Sequence, residues 1–204
     1  MARDTQSIVK RSRREGYALH PKAHKALVKR SAPPGQHGRN VRQKNSQYSL
    51  QLREKQKVKR LYGLLERQFS KLMKEADRKH GQSGTLLLSF LEQRIDNAIY
   101  RAGFAPSRQA ARQLVTHGHF MLNASRVDIP SIRTKVGDKI VLRPISHKNE
   151  YFKRLDDISP APPATPGWLK INRSKIELDV VGLPTRDDSE PDINEQLIVE
   201  YYSR

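Results

Sequence analysis

The residue types that stand out suit the holding of phosphate better than catalysis. Arg108 and Arg112 lie four apart in SRQAARQLV, and Arg94, Asn97 and Arg101 repeat that kind of spacing just before it. At about 100° per residue, each set falls on one helical stripe bordering an apolar face. A guanidinium is a planar fork of donors that matches a phosphate. Two helices packed through their apolar faces would bring both edges to one surface. Such a surface grips a nucleic-acid backbone, where contacts position a protein without reading base sequence. Ordinary solvated faces are the rival reading, and the net charge of +18 favours binding. In QLREKQKVKR, Arg53, Lys55, Lys57, Lys59 and Arg60 oppose only Glu54. Like charges at i,i+4 repel by about 0.2–0.5 kcal/mol each, so an anionic partner is expected to relieve them. In PPGQHGR the glycines let backbone amides approach phosphate, with His37, Arg39, Arg42 and Lys44 alongside; a plain turn is the alternative.

Other chemistries find little support. Asp156-Asp157 and Asp187-Asp188 sit in polar, proline-flanked segments with no sign of the burial that acid catalysis needs. His20 with His24, and His117 with His119, lack a carboxylate or third histidine at ligand spacing, so no metal is expected. Cysteine is absent, which excludes disulfides, thiol chemistry and cysteine-ligated zinc. No Ser/His/Asp set, phosphate-binding loop or dinucleotide fingerprint occurs. The chain does not read as an enzyme. Asn123-Ala124-Ser125 matches a glycosylation sequon by chance, since the N-terminus lacks an apolar export signal.

The elements that must position these residues follow from pattern. The chain has 204 residues, of which 36% are hydrophobic. Residues 1–80 carry 22 basic and 6 acidic side chains, 81–150 carry 10 and 5, and 151–204 carry 7 and 10. A polyanion is therefore met by the first two-thirds, and the acidic end packs on the body or faces a basic protein neighbour. No apolar run reaches the roughly 18 residues of a membrane span. Residues 1–46 read as a basic, extended arm and loop, with a short helix near Ala23 and a turn at Pro34-Gly35. Residues 47–90 read as a helical domain, in two helices or one bent one. LLLSFLEQRIDNAIYRAG reads as one helix stopped at Gly103, and Ser107 caps the next, which Gly118 ends. HFMLNASRVDI reads as two strands about a turn at Asn123, and KVGDKIVLRP adds another. These make a module over 91–155. Residues 156–204 hold a proline-rich connector, SPAPPATPG, and strand material in WLKINRSKIELDVV and EQLIVEYYS. The fold class is α+β.

LEQRIDNAIYRAGFAPSRQAARQLVTHGHFMLNASRVDIPSIRTKVGDKIVL resembles the S-four-type RNA-binding domain, a small helix–helix–β module. PPGQHG, YSLQLREKQKVKRLYGLLERQF and EQLIVEYYSR resemble the flanks found in the ribosomal protein S-four family. The resemblance runs from about Arg11 to Arg204. It implies a mostly helical basic N-terminal domain, with the small RNA-binding domain inserted before a C-terminal strand and loop segment. It implies a structural constituent of the small ribosomal subunit, cytoplasmic or organellar, that binds a 5′-domain junction of small-subunit ribosomal RNA early in assembly. Small-subunit protein five, other small-subunit proteins and messenger RNA are the further partners, with an influence on decoding accuracy; no membrane and no cofactor are implied. RNA contacts carry over to Arg94, Asn97, Arg101, Ser107, Arg108, Arg112, Gln113, His117 and Asn123. Gly35, Gln36, His37 and Gly38 supply a second face with Arg53, Lys55, Lys57, Lys59 and Arg60. Arg39, Arg42 and Lys44 fall on the side where messenger RNA enters. Many members carry an N-terminal zinc-binding cysteine cluster, which this chain lacks, so its arm orders without metal or on RNA. The family's hairpin turn usually has glycine where this chain has Ala124, and a type I′ turn would hold that alanine at positive φ for about 1 kcal/mol, so a change of turn type is expected. The rival readings are a non-ribosomal RNA-binding protein and an RNA-modifying enzyme carrying the same module.

Overall fold

The computed structural model describes residues 5–38, 46–162 and 164–203. Its helices and strands run α1 (Ile8–Glu15), α2 (His24–Lys29), α3 (Gln47–Leu61), α4 (Glu66–Arg78), α5 (Ser83–Glu92), α6 (Ile95–Arg101), α7 (Arg108–Thr116), β1 (Phe120–Leu122), β2 (Ser125–Val127), β3 (Lys139–Leu142), α8 (Glu150–Lys153), α9 (Leu155–Ile158), β4 (Leu169–Asn172), β5 (Glu177–Val180) and α10 (Glu195–Tyr202). They fall into two units, residues 1–87 with 192–204, and residues 88–191.

In the first unit, Ser46 caps α3 by accepting from the Ser49 amide at 3.3 Å. The helix closes at Gly63, φ +65°, where Gly63 donates to the Arg60 carbonyl and Leu64 to that of Lys59. That paired closure satisfies carbonyls which a helix end otherwise leaves bare. α4 then buries Phe69, Met73 and Ala76 on one face. Two readings of the sequence are corrected here. Residues 8–15 form a helix, not an irregular arm: its Glu15 side chain is wholly buried against Arg53 and Arg60 of α3, partners that no local pattern reveals. EQLIVEYY is the helix α10, not a strand. Asn194 caps it, its side chain accepting from the Gln196 amide, and Ile198 is buried. Its side-chain ties run to α3, through Gln51 to Glu200 at 2.7 Å, and to Glu66, through Tyr202 at 2.8 Å. Packing against an existing helix overrides the strand preference of its β-branched and aromatic residues.

In the second unit, α6 and α7 lie against an antiparallel sheet of order β2-β1-β3-β5-β4. Phe120 pairs with Val127 and Leu142, and Ile140 with Leu178, so alternate residues enter the core. There they meet Ile95, Ile99, Ala111 and Val115 from the helices, and Phe104 and Trp168. After the proline-rich connector the chain returns, and β4 and β5 extend the same sheet. The single helix read over LLLSFLEQRIDNAIYRAG is in fact two. α5 ends at Glu92, Arg94 takes an extended conformation and bridges to Arg133, and α6 starts afresh. At the break Arg94 and Asp96 close on each other over two residues, a geometry that a continuous helix does not offer, while the Ile95 amide donates to Ile132 and the Gln93 carbonyl accepts from Thr134.

Candidate nucleic-acid interface

The predicted arginines of the second unit do come together, although not as a bare cationic edge. Arg94 makes a two-bonded fork with Asp96, at 3.0 and 2.7 Å. Asn97 donates to Glu92 at 2.7 Å and accepts from Arg108 at 2.9 Å. Arg101 forks onto Glu92 at 3.0 and 2.8 Å. Arg108 reaches Glu190 at 3.0 Å and lies over the Tyr100 ring, and Arg112 stands 4.0 Å from Asp96. The four arginines thus lie among the carboxylates of Glu92, Asp96 and Glu190. Arg94 and Asn97 are buried, at 5% and 2% exposure. Their geometry makes them holders of their neighbours rather than side chains presented to a ligand.

The remaining predicted residues of this unit divide in the same way. Ser107 is buried and caps α7, accepting from the Ala110 amide at 3.2 Å. Gln113 on α7 and His117 at its C-terminal cap are exposed. His119 donates to or accepts from Ser146 at 3.0 Å; burial, aided by His117 and Arg143, holds its imidazole below the ordinary value. The hairpin turn keeps its tight form, with Asn123 at φ +48° and Ala124 at +67°, so the expected change of turn type does not occur. The reason lies in the Asn123 side chain, which donates to Asp138 at 2.7 Å and accepts from the Lys139 amide at 2.9 Å. Those bonds offset the strain at Ala124, and they commit the Asn123 amide to the protein.

In the first unit, the cations of α3 have partners that the sequence segment did not display. Arg53 and Arg60 pair with Glu15, Lys55 and Lys59 with Glu66, and Lys57 with Glu54. Lys55 is buried and lies 4.4 Å from the Tyr201 ring centroid. The expectation that an outside anion must relieve this helix is therefore corrected: carboxylates from α1 and α4 do so. Burial alone would raise the Glu66 carboxyl, but hydrogen bonds from Lys55, Lys59 and Tyr202 outweigh it and hold it at about 2.

In the PPGQHG loop, Gly35 has φ +124° and its carbonyl accepts from the Gly38 amide at 3.3 Å. A Cβ on Gly38 would stand 2.0 Å from the Pro33 carbonyl oxygen, so close backbone approach requires that glycine. Gln36 and His37 are exposed. Pro34 and Gly35 border a groove of about 320 Å³ lined also by Lys10, Arg14 and Arg60. Arg39, Arg42 and Lys44 lie outside the described residues.

One concentration of charge was missed. Arg67, Lys71, Lys74 and Arg78 are all exposed on α4, on the side opposite Phe69, Met73 and Ala76. Their spacings of four, three and four place them in one row, about 16 Å long at 1.5 Å per residue. Among the described residues none of the four side chains has a hydrogen-bond or ion-pair partner. The signal in RQFSKLMKEADR is an i,i+4,i+7,i+11 pattern, weaker in charge density than QLREKQKVKR.

Residues 3–92 match the family described as the ribosomal protein S4/S9 N-terminal domain, and residues 93–140 match the S4 domain. The chain is 50% identical to small ribosomal subunit protein uS4 of Chloroflexus aurantiacus over the full length of both chains. It belongs to the uS4 family. Proteins of the same name from Roseiflexus sp. and Clostridioides difficile are 48% and 49% identical, again over all of each chain. These matches run end to end under one name, and they lend nothing to an RNA-modifying enzyme or a free-standing RNA-binding factor. Among the described residues no group of three or more His, Asp or Glu side chains is placed to hold a metal ion, and no helix is long and apolar enough to cross a membrane.

Proposed function

We propose that this protein is a structural constituent of the small ribosomal subunit that binds small-subunit ribosomal RNA and works without catalysis. It holds one fold of a 5′-domain junction, shifting the RNA population toward that fold. Recognition rests on phosphate placement and junction shape, because the deep groove of A-form RNA admits few side chains.

The observation that carries the reading is the α4 row. Arg67–Lys71, Lys71–Lys74 and Lys74–Arg78 are like-charge neighbours at i,i+4 or i,i+3, together costing about 1 kcal/mol in the free protein. A polyanion laid along the row turns that cost into attraction. The same charges on α3 are already matched by carboxylates, so Arg53 to Arg60 act as scaffold and α4 meets RNA. The groove beside Pro34 and Gly35 provides a second phosphate seat, and Arg108, Arg112, Gln113 and His117 provide a third. Small-subunit protein five, other small-subunit proteins and messenger RNA near Arg39, Arg42 and Lys44 are the further partners in this reading, in a cytoplasmic or organellar ribosome.

The test is binding to a 5′-domain transcript over a salt series. A variant with Arg67, Lys71, Lys74 and Arg78 all changed to glutamine keeps its fold, and its plot of log affinity against log salt is shallower by about three. Lys57→Gln on α3 leaves the slope nearly unchanged. An unchanged slope in the α4 variant would show that the row does not touch RNA. Equal wild-type affinity for an unrelated transcript would show a generic polyanion binder.

A further inference from the structure

We propose that Glu190 is an internal stand-in for an RNA phosphate, seated on Arg101 and Arg108 in the free protein and displaced when RNA binds. The proposal rests on the reading above that Arg108 and Arg112 seat an RNA phosphate, and it adds Arg101 to that ledge.

The three carboxylates among the arginines are not equivalent. Glu92 has no exposed side-chain surface, and it binds Asn97 and Arg101 from the end of the helix just before them. Asp96 is 7% exposed and fixes Arg94 from the next helix. Both belong to the segment that builds the ledge. Glu190 comes from a loop 82 residues after Arg108, and its side chain is 23% exposed. One of its oxygens lies 3.0 Å from Arg108 Nη2 and 3.6 Å from Arg101 Nη2. A carboxylate and a phosphate offer a guanidinium the same pair of acceptor oxygens. Glu190 therefore occupies the place where a phosphate would bridge the two arginines.

The loop is built to deliver this side chain. Arg186 donates to the Glu190 carbonyl at 3.3 Å and to Ser189 Oγ at 2.8 Å, and Ser189 Oγ donates back to the Arg186 carbonyl at 2.7 Å. The Thr185 amide and hydroxyl both donate to Asp188, at 2.8 and 2.9 Å. Ser189 is buried, and Asp187 beside it is exposed. One of three neighbouring acidic side chains is thus aimed at the ledge while the loop's own bonds hold the turn. Removing Glu190 takes one carboxylate from Arg101 and Arg108. With Glu190 there, an arriving phosphate must exchange for an anion already in place, so the free protein presents a quieter surface to passing RNA.

Glu190→Gln keeps the shape and removes the charge. The full-length variant should bind the 5′-domain transcript about fivefold more tightly at moderate salt, as expected for freeing a partly exposed ion pair. Its midpoint of thermal unfolding should fall slightly, because the free fold loses that pair. Opposite signs in binding and stability mark a displaced stand-in, whereas a merely structural carboxylate would move both downward. Asp187→Asn, the same change in net charge three residues away, should shift affinity less than twofold. Unchanged or weaker RNA binding by Glu190→Gln would overturn the proposal, as would an equal gain in Asp187→Asn. An unrelated transcript of equal length separates the two ideas. If wild type prefers neither RNA the ribosomal reading fails, yet a fivefold gain on either RNA would still report the displacement.

Discussion

Glu92→Gln should unfold the second unit well before the wild type. Glu92 is fully buried at the end of α5, and its carboxylate accepts from Arg101 at 3.0 and 2.8 Å and from Asn97 at 2.7 Å. Glutamine has the same outline, but it loses the charge. Its amide also puts a donor where Arg101 or Asn97 already donates. Breaking a buried ion pair on one side costs about 3–5 kcal/mol. The Arg101 side chain retains 18% exposure and recovers part of its hydration, which brings the cost down to or just below that range, about 2–3 kcal/mol. For a unit of this size each kcal/mol moves the melting midpoint by about 4–8 °C, so the drop is about 8–24 °C. Calorimetry of the full chain reads this as an early transition, and hydrogen exchange locates it in α6 and α7. A double-mutant cycle with Arg101→Ala should recover a coupling of about 2 kcal/mol. A midpoint within about 2 °C of wild type would refute the reasoning, since Glu92 would then not be what holds the arginine cluster.

Two further outcomes follow from the cited geometry. Ala124→Gly relieves an L-residue held at φ +67°, worth about 1 kcal/mol, less the greater freedom of glycine in the unfolded chain. A rise of a few degrees in the melting midpoint is expected, and a fall would mean that the alanine methyl is doing something unseen. The depressed Glu66 carboxyl contributes stability that is present above its ordinary value of 4.5 and is lost as pH falls from there through about 2. Because that side chain is 46% exposed, solvent screening keeps the contribution below about 1 kcal/mol. Between pH 5 and 2 the first unit should therefore lose stability more steeply in wild type than in Glu66→Gln, and parallel acid-melting curves would contradict this.

Much of the architecture could be read from local signals. The Ser107 cap and the stops at Gly103 and Gly118 stand where residue chemistry puts them, because each is decided within a few residues; the hairpin about Asn123 stands there too, although its tight turn also depends on Asp138 and Lys139. The misreadings share one cause. In QLREKQKVKR the cations looked unmatched because Glu15 and Glu66 are separated from them along the chain. EQLIVEYY looked like a strand because its helical state is decided by burial of Ile198 and by ties to Gln51 and Glu66. The exposed row on α4 was visible in principle, yet its significance depends on knowing that the α3 charges are neutralised.

By itself, then, the sequence determined the polyanion-binding character, the absence of thiol and cysteine-zinc chemistry, the α+β class and the resemblance to the S-four family. Net charge, residue type and short-range periodicity are properties of the chain before it folds. Only the tertiary structure decided which cations are available. An ion pair depends on distance through space, and Glu15 and Glu66, which neutralise most of α3, and Glu190, 82 residues beyond Arg108, arrive from other elements.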